Sequence, residues 1–202
     1  FRGSLVALAG MLLVVLVVTA LMLPRGVGRM KTKPKFTQVF SNRPAITWLA
    51  AARFFLFGSR DVWFVVGLPV FLYSVLGWSF TRVGGFMALW VIGNGIVQAS
   101  APRLIRRSHH GRGPGGGTAR LWAFVLALFP AAIALALQYG LDPALVLVTG
   151  IVLFGMVFAI NSAVHSYLIL AYSDFDKVSM NVGFYYMANA GGRLAGTVLS
   201  GW

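Results

Sequence analysis

Apolar residues in this chain recur in long runs, separated by short connections rich in basic residues, glycine and proline. Six apolar segments stand out, at about 3–23, 45–76, 83–102, 120–139, 144–172 and 179–202. Several reach the ~20 residues that a helix needs to cross a bilayer, so the pattern predicts an all-α, polytopic membrane protein. The second segment is long for one crossing, because ~30 residues of helix exceed a ~30 Å hydrocarbon core. It is expected to tilt, to protrude, or to break near Gly58 or Gly67–Pro69.

Composition agrees with that pattern. Apolar residues make up 58% of the chain and charged residues 10%, far below the roughly 25% charged content of soluble domains. The net charge of +13 raises the question of nucleic acid, and its distribution answers it. The linker 24–44 holds Arg25, Arg29, Lys31, Lys33, Lys35 and Arg43, and the loop 103–120 holds Arg103, Arg106, Arg107, Arg112 and Arg120. The connection GWSFTRV between them offers only Arg82, and the later turn GLDP offers none. Basic residues concentrated in alternate short loops mark the cytoplasmic side of a plasma-membrane protein. The expected partner is therefore the lipid bilayer and not nucleic acid. Both loops on one side require an even number of spans between them, which holds if 45–76 counts as one.

Cysteine is absent, which excludes a disulfide and a soft thiolate metal site. The pair His109–His110 sits in a Gly- and Arg-rich loop and reads as a solvated cytoplasmic tract, since a metal site needs more ligands. No cofactor is expected. The chain begins at Phe1 without the basic n-region and cleavage site of a signal peptide, and ends at Trp202 soon after LAGTVLSG. It reads as part of a longer protein.

The segments differ in polarity. Segments one and four, GSLVALAGMLLVVLVVTALML and LWAFVLALFPAAIALALQ, are apolar almost all round, as for helices facing lipid. Segments two, three, five and six carry polar residues well inside the span. Two lipid-facing helices three apart, with polar helices between and after them, resemble the arrangement of a major facilitator transporter, whose third, sixth, ninth and twelfth helices are peripheral. The long basic linker then corresponds to the connection between the two six-helix halves. On that register residues 1–23 are the last helix of the N-terminal bundle and 24–44 the central linker. Residues 45–202 are then a truncated C-terminal bundle, with helices seven to eleven and without helix twelve.

Charges inside the spans are the candidate chemistry. In ARFFLFGSRDVWF, residues 52–64, Arg53, Arg60 and Asp61 stand among large apolar side chains, and each charge at mid-membrane costs about 2.5–3.5 kcal/mol by insertion scales. Arg53 and Arg60 are seven apart and share a face. Asp61 points about 100° from Arg60, so the two are expected not to pair side by side and to take partners from other helices, water or a ligand. For Arg53 an interhelical salt bridge or snorkelling is the plain alternative to a cavity-facing role. In segment six Asn181, Tyr185, Asn189 and Arg193 recur at intervals of four, and Gly192 and Gly196 form a GxxxG that permits close helix contact. Segment five offers Asn161 and His165 on one face, and segment three Asn94 and Gln98. Asp142, Asp174 and Asp176 read as loop or helix-end residues, the last two facing the start of segment six. A cavity with Arg53, Arg60 and Arg193 against one carboxylate suits a small polyanionic solute, because guanidinium binds phosphate and carboxylate oxygens in fork geometry.

The runs PKFTQVFS, AARFFLFGSRDVWFVVGLPVFLYSVLGWSF, FAINSAVHSYLILAYSDFDKV and NVGFYYMANAGGRLAGTVLSG closely resemble ArsJ-type organoarsenical efflux permeases of the major facilitator superfamily, over nearly all of residues 31 to 201. The resemblance implies export of 1-arseno-3-phosphoglycerate, made by a glyceraldehyde-3-phosphate dehydrogenase from arsenate and glyceraldehyde 3-phosphate, and hence arsenate resistance. The ester's arsenate and phosphate groups are hard oxyanions, consistent with surplus arginine and no cysteine. One departure concerns the superfamily's gating motif GxxxDRxGRR. Here ASAPRLIRRS keeps the basic residues and lacks the Asp, which leaves Arg103, Arg106 and Arg107 to topology.

The expectation is thus a secondary active exporter without covalent chemistry, not an enzyme. Arg53, Arg60 and Arg193 would bind the solute's anionic ends, Asn161, His165 and Asn189 would add hydrogen bonds, and Asp61 is the coupling candidate. The alternatives are a carrier for another phosphorylated or carboxylated metabolite or a drug, and a polytopic membrane enzyme built on Ser162, His165 and Ser166. No GxSxG elbow supports the last.

Overall fold

A computed structural model describes residues 2–23, 43–108, 113–174 and 177–202, without the side chains of 102 and 104–108. Most of the basic linker 24–44, the first resemblance run, His109–His110, Arg112 and Asp176 lie outside the described residues, as do the side chains of Arg106 and Arg107. The chain falls into two units, Phe1–Lys35 and Phe36–Trp202. The described part of the first is a single helix, α1 (Arg2–Met22), apolar on every face.

The second unit holds α2 (Pro44–Phe64), α3 (Gly67–Ser74), α4 (Phe80–Ser108), α5 (Gly116–Gln138), α6 (Pro143–Tyr172) and α7 (Val178–Gly201). Helix is what this composition dictates at membrane depth, where every backbone polar group must be satisfied within its own segment. The helix ends follow local rules. Asp142 caps α6, its carboxylate accepting from Leu145 N–H at 2.7 Å, with Pro143 in the first turn where its missing N–H costs nothing. At the end of α5, Gly140 takes φ +75°, and the bonds Gly140 N–H to Leu137 O and Leu141 N–H to Ala136 O close a Schellman turn.

The long second segment breaks at Val65–Val66, just before Gly67, while Gly58 stays inside α2. The two pieces together remain one candidate span, Pro44–Ser74. The expected loop 103–120 is shorter than its sequence suggested, since α4 continues to Ser108 and α5 starts at Gly116. Leu104, Ile105, Arg106 and Arg107 are adequate helix formers, and basic charge does not end a helix that has reached water.

Five stretches among the described residues are long and apolar enough to cross a membrane: Arg2–Met22, Pro44–Ser74, Phe80–Ala101, Gly116–Gln138 and Pro143–Tyr172. The sixth expected segment forms the 24-residue helix α7 and falls short in apolarity, because Asn181, Asn189, Arg193 and several glycines dilute it.

Helix α6 is central. It packs on α4 and on α5 and touches α2 and α7, while α2 lies along α7. Asn161, Ser162 and His165 are buried within it. α5 buries only Leu126, as expected for a helix that faces lipid. An aromatic core joins α2, α4 and α6. Phe57 meets Phe158 edge-on at 5.0 Å, and Phe64 meets Trp90 at 4.3 Å. Trp90 Nε1–H donates to the Ile151 carbonyl at 2.8 Å, tying α4 to α6.

Candidate functional site

The site is built on a seam between α2 and α7. A β-carbon placed on Gly196 would overlap the Gly58 carbonyl oxygen, and one on Gly58 would lie 3.0 Å from the Gly192 carbonyl oxygen. Only hydrogen at these positions allows two helix backbones to run so close. The GxxxG read from the sequence thus meets a third glycine on the opposite helix.

That proximity delivers Arg193 to Asp61. Arg193 Nε–H donates to Asp61 Oδ2 at 3.1 Å. Asp61 is fully buried, and its other oxygen, Oδ1, accepts from Arg60 Nε at 2.6 Å and lies 2.5 Å from Arg60 Nη2. This corrects the expectation that Arg60 and Asp61 do not pair and that Asp61 is turned aside. The β-carbons diverge, but the arginine stem is long enough to bring its guanidinium back, and a carboxylate stripped of water costs too much to leave unpaired. Arg60 is also held over the rings of Phe57 and Phe158, each 4.8 Å from its guanidinium carbon.

Arg53 has a different environment. It is 4% exposed, and its Nη1 donates to Ser162 Oγ at 2.9 Å and to the Ser162 carbonyl at 3.3 Å. Its guanidinium carbon sits 4.1 Å from the centre of the Phe57 ring and 5.0 Å from that of Tyr185. The Phe57 ring is thus within cation–π distance of two guanidinium groups, those of Arg53 and Arg60. Among the described residues no carboxylate reaches Arg53. The interhelical tether considered for it exists, as a hydrogen bond to a serine instead of a salt bridge.

Asn161 and His165 share a face of α6, as their spacing suggested, and line a cavity of about 730 Å³ bounded by α2, α5, α6 and α7. The rest of its wall is mainly apolar, with Phe54, Trp63, Leu126 and Phe154 among the lining residues, and none of the three arginines is in it. Both amide atoms of Asn161, Nδ1 of His165 and Oδ1 of Asn189 are buried without a hydrogen-bond partner among the described residues. The predicted residues thus divide into an ionic cluster (Arg60, Asp61, Arg193), a tether (Arg53) and an unsatisfied polar group beside a cavity (Asn161, His165). Asn94 lies apart, lining a separate cavity of about 310 Å³ against α6.

The serines do not form a dyad with His165. Ser162 Oγ accepts from Arg53, and Ser166 Oγ donates to the Ser162 carbonyl at 3.0 Å. The Asp174 carboxylate pairs with Arg43 at 2.5 Å, and the backbone carbonyl of Asp174 accepts from the N–H of Lys177, the residue before α7. Sequence reasoning missed Ser162 as the partner of Arg53. It also missed Phe57, although its position four after Arg53 and three before Arg60 is a readable cation–π spacing on one helix face.

A family model for the Major Facilitator Superfamily matches residues 1–197. The chain belongs to that family of membrane transporters. No curated protein and no solved structure matches it.

Proposed function

We propose that this chain is part of a secondary active exporter of a small polyanion, and that the solute is the organoarsenical 1-arseno-3-phosphoglycerate. The observation that carries the reading is charge. Two buried guanidinium groups, Arg53 and Arg60, and the exposed Arg193 stand against one buried carboxylate in helices of largely apolar composition. A net positive interior attracts phosphate- and arsenate-type oxyanions, and arginine holds them in fork geometry. The choice of solute rests on the resemblance to ArsJ-type permeases.

In this reading the chain supplies helix six, the cytoplasmic linker and helices seven to eleven of a plasma-membrane carrier, with the loops at 24–44 and 103–120 in the cytoplasm. Arg193 is the guanidinium that meets the solute, because its side chain is 55% exposed. Arg60 and Arg53 set the positive potential from behind. Asn161, His165 and Asn189 have unsatisfied polar atoms to offer, and Asp61 is the candidate for coupling. The source of solute is a glyceraldehyde-3-phosphate dehydrogenase acting in the same cell.

The same charge suits a carrier for another phosphorylated or carboxylated metabolite, and one experiment separates the two. The full-length protein, expressed with a glyceraldehyde-3-phosphate dehydrogenase in an arsenate-sensitive strain, is expected to restore growth on arsenate. Arg193→Gln is expected to abolish that rescue at equal membrane abundance. Rescue absent from the wild type, together with uptake of 3-phosphoglycerate into inverted vesicles, would replace the arsenical by an ordinary metabolite.

A further inference from the structure

We propose that Asp61 is an internal competitor for the solute. In the empty carrier its carboxylate occupies Arg193, and a solute oxyanion takes that place when it binds. The inference rests on the reading of this chain as an anion carrier and names how the same site is kept closed.

The two oxygens of Asp61 are held unequally. Oδ1 is gripped by both Nε and Nη2 of Arg60, at 2.6 and 2.5 Å, whereas Oδ2 has one longer contact, 3.1 Å to Arg193 Nε. Arg60 is buried between Phe57 and Phe158, so no solute reaches it without repacking the core. Arg53 is sealed in the same way and committed to Ser162. Arg193 alone of the three has an exposed side chain, and a guanidinium carries five N–H donors, enough to bind an oxyanion through its outer edge.

Exchange at Arg193 leaves no charge stranded. When Arg193 swings to a solute, Asp61 keeps Arg60, so the buried carboxylate remains neutralised, where an unpaired one would be prohibitive. Asp61 cannot follow Arg193. The backbones of α2 and α7 close over it, with a β-carbon position on Gly196 only 3.0 Å from Asp61 Cβ. A phosphate or arsenate group carries more negative charge than a carboxylate and fits the same fork. The carboxylate is thus a weak occupant that a stronger anion displaces and that helps expel it afterwards.

The test is calorimetric binding of inorganic phosphate and of 3-phosphoglycerate to purified full-length protein. Asp61→Asn is expected to tighten binding at least about threefold by removing the competitor, and Arg193→Gln is expected to cancel that gain when added to it. Asp61→Asn also strips Arg60 of its counter-ion, so the double variant Arg60→Gln/Asp61→Asn provides a second comparison. It is expected to keep the gain, again only while Arg193 is present. A gain that survives Arg193→Gln would mean a general change of potential and overturn the proposal, as would unchanged or weaker binding in both Asp61 variants. If neither the wild type nor any variant binds either anion, the anion-carrier reading falls, and the proposal with it.

Discussion

Gly192 on α7 and Phe54 on α2 meet backbone to backbone: a β-carbon on Gly192 would overlap the Phe54 carbonyl oxygen and come within 2.8 Å of the carbonyl carbon. The contact of Arg193 with Asp61 depends on this approach, because Arg193 is the next residue along α7 and reaches Asp61 across a glycine seam. Gly192→Ala is expected to push the helices apart and to destabilise the protein by about 1–3 kcal/mol, the usual cost of overpacking. Gly183 on the same helix has open space where its β-carbon would go, so Gly183→Ala is expected to be neutral or mildly stabilising. Thermal melting of the detergent-solubilised protein decides. Equal shifts for the two variants would mean that the seam is not needed.

Trp90 is expected to be sensitive in two ways. Trp90→Phe removes the hydrogen bond to the Ile151 carbonyl and is expected to cost about 0.5–1.5 kcal/mol. Gly155→Ala should cost more, since its new methyl would sit 2.7 Å from Trp90 Nε1 and must displace a packed indole. Melting temperatures falling in the opposite order would show that α4 and α6 can separate cheaply.

Asn161→Leu is expected to leave stability unchanged or to raise it. Both amide atoms of Asn161 are buried with no partner among the described residues, and replacing an unsatisfied polar group by an apolar one of similar size removes a penalty. Transport in vesicles is expected to fall in the same variant, since a polar group kept at a cost to stability is characteristic of a working site. A clear loss of melting temperature would instead make Asn161 a structural residue.

Arg43→Gln tests the ion pair between the start of α2 and the end of α6. Arg43 and Asp174 are about half exposed, and such pairs contribute about 0–1 kcal/mol and weaken as salt rises. The expected shift is small and smaller still in high salt. A drop comparable to that of Gly192→Ala would show a strong latch at this end of the bundle.

Much of the helical framework was legible because it rests on local rules. The break before Gly67, one of several outcomes the second segment allowed, the helix-end position of Asp142 and the apolar surface of α5 all follow from residues within one or two turns. The pairing of charges was not legible. The 100° separation of Arg60 and Asp61 describes β-carbons and says nothing of where a flexible guanidinium ends when water is removed. Ser162 could not be assigned to Arg53 before α6 was known to lie against α2. α7 is less apolar than the five candidate spans, because two asparagines, an arginine and the glycines of its seam dilute its aromatic and aliphatic residues.

By itself the sequence determined that this chain is a set of membrane-length helices with arginines in excess inside them. Run length and hydropathy decide that outcome, since a backbone in lipid has no other way to satisfy its hydrogen bonds. Only the tertiary structure decided which charges meet. Three glycines let α2 and α7 touch, and that contact makes one carboxylate the shared partner of a buried arginine and an exposed one. Electrostatics inside a membrane demands that charges be compensated, but packing chooses the partner.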